Sequence, residues 1–102
     1  MLVALGLAAC SPGFDAPRWA AERGNATGVN ARLDMVASLG SVGVAVGTSR
    51  PRVRAALGLP DGEGPREDIY YLGRNDMAPD YLVLAIGYTA GGRVAVLRTR
   101  EL

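Results

Sequence analysis

Cys10 is the only cysteine of the chain and histidine is absent, so the side chains most used to ligate metals and to activate nucleophiles are missing from any site one chain builds. A thiolate or imidazole metal centre needs three or four such ligands, and Ser-His or Cys-His nucleophiles need an imidazole base. Carboxylates, tyrosines and arginines remain. Asp61 with Glu63, and Asp76 with Asp80, are spaced as acid pairs. Neither pair is framed by a calcium-loop pattern or by a partner group that would tune a proton affinity. We therefore expect no enzymatic activity, no metal or other cofactor, and no small-molecule substrate.

All basic residues are arginine: 11 of them stand against 10 acidic residues, for a net charge of +1. That balance gives no electrostatic case for nucleic acid as a partner. Arg50 and Arg54 are four apart and share a helix face, while Arg52 points elsewhere; the pair can meet lipid phosphates or an acidic partner, or form a solvated face. Arginine near a helix N-terminus opposes the helix dipole, so a working role there requires something anionic to compensate. Tyr70, Tyr71, Tyr81 and Tyr88 can form an aromatic contact patch. Tyr70 and Tyr71 are adjacent in an extended run, so they point to opposite faces and one belongs to the core. The stretch from Gly73 to Asp80 carries Arg74, Asn75, Asp76 and Asp80 and reads as an exposed contact loop. Candidate partner-binding residues are thus Arg50, Arg54, Tyr70, Tyr71, Arg74 and Asp76.

A chain of 102 residues, 49% of them hydrophobic, supports one small domain with a modest core. Residues 10–29, with Pro12, Gly13, Pro17, Gly24 and Gly28, read as a tether interrupted by a short helical turn near Trp19 to Arg23. Asn30 caps a first helix over 31–39 whose face is Leu33, Val36, Ala37 and Gly40, and Gly40 to Gly47 is a loop or a short extended piece. Ser49 is the N-cap of a second helix with Pro51 in its first turn; Val53, Ala56 and Leu57 form its apolar face, and Gly58 and Pro60 end it. Ile69 to Leu72, Tyr81 to Tyr88 and Arg93 to Thr99 are strands, the last two joined by Ala90-Gly91-Gly92. Leu82, Leu84 and Ile86 share the strand face turned to the helices. The expected fold is α+β: two short helices on one face of a three-stranded antiparallel sheet, in the order ααβββ.

Residues 1–9 are apolar but too short to span a bilayer, which takes roughly 20 residues; they have the length of a signal-peptide core. Leu7-Ala8-Ala9-Cys10 resembles the bacterial lipobox, in which two small residues precede the cysteine that is lipidated and becomes residue one. The domain plan is then a signal peptide at 1–9, a tether at 10–29 and a folded domain at 30–102, with Cys10 as the lipid-attachment residue.

Gly47-Thr48-Ser49, Val53 and Leu57-Gly58-Leu59-Pro60-Asp61, followed by Ile69-Tyr70-Tyr71-Leu72-Gly73 and a hairpin through Gly91-Gly92, resemble the SmpA/OmlA (BamE-like) small lipoproteins over roughly residues 32–98. Thr48 stands where that family usually has methionine. The resemblance implies a lipid-anchored domain at the outer membrane, facing the periplasm, that acts through contacts with other envelope proteins and supports outer-membrane assembly or integrity. Beta-lactamase-inhibitor-like proteins share the architecture, which gives an alternative: a secreted or anchored inhibitor of an extracytoplasmic enzyme.

Overall fold

The computed structural model describes residues 13–74 and 81–101. Cys10, Asp76, the segment 1–9 and most of the loop read as a contact site, including Asp80, lie outside the described residues. The fold is α+β, with three helices preceding a four-stranded antiparallel sheet of order β1-β2-β3-β4. Helix α1 spans Ala16–Ala21, a 3₁₀ helix spans Ala31–Val42 and α2 spans Arg50–Leu57. The strands are β1 Gly62–Gly64, β2 Glu67–Gly73, β3 Leu82–Tyr88 and β4 Val94–Glu101. One helix and one strand thus join the expected ααβββ set.

The short helical turn read near Trp19 to Arg23 is a helix over Ala16–Ala21 that packs against the core. Asp15 caps α1, its carboxylate accepting the Arg18 N–H at 3.1 Å, and a proline occupies the first turn where its missing donor costs nothing. Trp19 is 1% exposed. Its ring lies 5.5 Å from Phe14 and 5.9 Å from Tyr70, and its indole N–H donates to the Leu57 carbonyl at 3.0 Å. Two aromatic rings are enough apolar surface to hold this proline- and glycine-bearing stretch against the core.

The helix expected at 31–39 is longer and winds differently. Asn30 caps it as expected, accepting the Arg32 N–H at 2.8 Å. Leu33, Val36, Leu39 and Val42 recur every three residues, the 3₁₀ period, so an eclipsed row of side chains meets the core. Ala37 and Gly40, assigned above to the α-helical face, are exposed. Gly43 ends the helix in the left-handed conformation at φ 83°.

α2 follows its sequence signals closely: Ser49 caps it, Pro51 sits in the first turn, and Val53 and Leu57 are buried. Gly58 closes it at φ 82° and ψ −176°, a positive-φ geometry outside the left-handed helical region that was expected there. β1 was missed because Gly62-Glu63-Gly64 has neither alternation nor β-branched side chains; it exists by pairing with Glu67 to Ile69 across a tight turn.

β2 and β3 alternate as read. Tyr70 and Leu72 from β2, and Leu84, Ile86 and Tyr88 from β3, are buried toward the helices, with Leu82 packed beside them. In β4 the register shift at Gly87/Tyr88 brings Val94 onto that face and leaves Val96 exposed on the other. A second irregularity at Tyr71/Gly73 lets Gly73, at φ 71°, pass so close to the Gly28 carbonyl that no Cβ fits there.

Candidate functional site

Two of the charged residues singled out in the sequence, Arg50 and Arg54, converge on one buried carboxylate. Asp68 shares the inward parity of Tyr70 and Leu72 in β2 and is fully buried. Arg50 donates to it at 2.7 Å, and Arg54 donates through two nitrogens at 2.7 and 3.2 Å. The Tyr88 hydroxyl donates to its other oxygen at 2.9 Å. α2 is what delivers both arginines: four residues apart, they project from one face of its only complete turns onto the sheet. Arg50 also donates to the carbonyls of Gly64, Pro65 and Glu67 and lies 4.7 Å over the Tyr88 ring. Arg54 adds an exposed pair with Glu63 at 3.1 Å.

Burial alone would raise the Asp68 pKa, but the hydrogen bonds from Arg54, Arg50 and Tyr88 outweigh it and hold the carboxyl below its ordinary range. The same contact raises the Arg54 pKa, its hydrogen bond to Asp68 being the largest cause. Burial, then the hydrogen bond to Asp68, pushes the Tyr88 hydroxyl above the usual tyrosine value. Tyr70 is raised by burial and by the Asp68 charge. With Asp68 held below its ordinary range and Arg54 and Tyr88 above theirs, the contacts stay intact near neutrality and join α2 to β2 and β3.

A second buried pair lies at the other end of the helical layer. Arg32, 1% exposed, donates to Asp61 at 2.8 Å and through Nε to the Trp19 carbonyl at 2.8 Å, with its guanidinium 4.9 Å over the Trp19 ring. Asp61 also accepts from the N–H groups of Gly24 and Tyr71, at 2.7 and 2.8 Å. Asp61 and Glu63, weighed above as an acid pair, are thus engaged with different arginines.

The remaining candidates separate. Tyr70 is the core member of the tyrosine pair, its hydroxyl donating to the Gly58 carbonyl at 2.7 Å. Tyr71 is half-buried on the opposite sheet face, across from Val83. Arg74 is exposed, its guanidinium 5.5 Å over the Tyr81 ring. The structure therefore brings Arg50, Arg54 and Tyr88 together, and leaves Tyr70, Tyr71 and Arg74 at three separate places.

A groove of about 350 Å³ runs between the 3₁₀ helix and the outer strands, lined by Val36, Leu39, Gly40, Val44, Leu84, Leu97, Arg98 and Thr99. On the sheet face away from the helices Val83 and Ala85 are buried and Ile69 and Tyr71 half-buried, while Val96, Arg98 and Arg100 are exposed. Among the described residues no group of three His, Cys, Asp or Glu side chains converges to hold a metal. No described helix is long and apolar enough to cross a membrane.

Sequence reasoning missed Asp68 and Arg32, and with Arg32 the partner of Asp61. Asp68 was within reach: it has the parity of Tyr70 and Leu72, and two arginines opposing a helix dipole call for an anion. No protein-family model, curated protein or solved structure matches the chain.

Proposed function

We propose that this chain is a lipid-anchored binding module of the bacterial cell envelope, held at the outer membrane through Cys10 and facing the periplasm. It acts by contacts with other envelope proteins and not by catalysis, in support of outer-membrane assembly or integrity. The observation that carries this reading is the Leu7-Ala8-Ala9-Cys10 run followed at once by Ser11-Pro12 and a folded body from Gly13 onward. Supporting it, Arg50 and Arg54 of α2 serve internal pairing, while the groove lined by Val36, Leu39 and Leu97 stays open to a partner. Attachment by several acyl chains on one cysteine gives firm retention where a single chain would bind only marginally.

The test is metabolic labelling with a fatty acid followed by membrane fractionation, comparing the wild type with Cys10→Ala. Label that disappears in the variant, with the wild type in the membrane fraction, is the expected result. An unlabelled, soluble wild type would remove the anchor and leave only a small α+β domain.

A further inference from the structure

The outer edge of β4 is guarded at one end and open along the rest. At its start the Val94 N–H donates to the Thr48 carbonyl and the Gly47 N–H to the Val94 carbonyl, both at 2.8 Å, so the segment before α2 closes the edge there. From Ala95 to Arg100 no backbone hydrogen bond crosses that edge among the described residues. Such an edge is a ready template for one more strand.

Its two faces specify different chemistry. On the helix side, Leu97 and Thr99 stand over the groove shared with Val36 and Leu39, so every second residue of an added strand would enter apolar space. On the other side, Arg98 and Arg100 project beside Val96. Arg98 makes no ion pair among the described residues, and Arg100 has only an exposed contact to Glu67 at 3.5 Å, a geometry worth little in water. A strand that presents carboxylates on this face gains cross-strand charge pairs.

Two self-pairing registers are disfavoured by the same residues. An antiparallel copy centred on Thr99 sets Arg98 opposite Arg100, and one centred on Arg98 sets that arginine opposite itself; like charges directly opposite are destabilising. We infer that β4 receives an extended segment of another protein in which apolar residues alternate with acidic ones, apolar side chains in the groove and carboxylates against Arg98 and Arg100. The inference rests on the reading above only in treating the chain as a binding module.

The test is a titration of the full chain carrying Cys10→Ala with a capped heptapeptide alternating Glu and Val, followed by backbone amide NMR. Saturable shifts confined to β4 and the groove are expected. The double variant R98E/R100E, whose changes are exposed and whose folding circular dichroism verifies, is expected to weaken binding about tenfold. Methylating every second peptide nitrogen, at the Glu or at the Val positions, blocks one peptide edge at a time, and one of the two isomers is expected to lose binding. Absence of shifts at millimolar peptide, equal binding of a Lys-Val peptide, or shifts centred on Tyr71 and Val83 would overturn the assignment. Concentration-dependent dimerisation through β4 without peptide would overturn it in favour of a second copy. Because the titration reads the edge itself, its failure leaves Cys10 acylation standing, and absent acylation leaves the edge intact.

Discussion

Two arginines and a tyrosine hydroxyl all depend on the single buried carboxylate of Asp68. Replacing it by Asn leaves two guanidinium groups packed against a neutral amide; we expect a loss of about 3–5 kcal/mol, read as a lowered urea midpoint. Its pKa is lower folded than unfolded, so its contribution is fully present above about pH 4 and disappears as pH falls through the folded value. Tyr70 and Tyr88 behave oppositely: their pKa values are raised on folding, so their share is full below about pH 10 and is lost as pH rises beyond it. Chemical denaturation across pH is expected to show a plateau from about pH 5 to 9, with the acid limb flattened in Asp68→Asn. Gly73 is a second sensitive point. Its positive φ and the closeness of Gly28 and Asn30 leave no room for a Cβ, so Gly73→Ala is expected to cost about 1–3 kcal/mol, visible as a lower melting temperature.

Among the elements, α1 has the largest consequence for how the chain is divided. Removing residues 1–29 takes away Phe14 and Trp19, and with them the indole bond to the end of α2; the remainder is expected to lose cooperative unfolding in a thermal melt. Trp19→Ala within the full chain is expected to cost about 3–5 kcal/mol. α2 was fully legible in the sequence, since a serine cap, an early proline and a terminal glycine are local signals that tertiary context had no reason to overrule. β2 and β3 were legible from alternation, and β4 in position but not in facing, because a bulge beside Gly87 separates Val94 from Val96. The 3₁₀ helix was legible in position and cap but not in winding: Leu33, Val36, Leu39 and Val42 carry the three-residue period, and it was read as an α-helical one. α1 and β1 were hidden for different reasons. Proline and glycine around α1 resemble a linker, and its burial depends on aromatic partners far along the chain. β1 has no apolar pattern and is defined by its neighbour's hydrogen bonds. The candidate site was half legible: the arginines were found, and their partner was overlooked because a single aspartate ahead of an aromatic run looks like a strand boundary.

At the scale of the whole molecule, Arg32, Arg50 and Arg54 are engaged internally with Asp61 and Asp68, while the groove beside the 3₁₀ helix and the edge of β4 stay open. A protein so arranged is expected to co-purify with envelope proteins from a detergent extract, and to do so less well as R98E/R100E. Gly13, at the beginning of the described fold, lies directly against Ser38 of the 3₁₀ helix. Three peptide steps separate it from Cys10, a span of about 10 Å at full extension. On the proposed acylation of Cys10 so short a connection would leave no leash. The domain would then ride on the lipid headgroups with the Ser38 side lowermost, and any protein it grips would itself have to come down to the bilayer surface, since the domain would have no slack with which to go and find it.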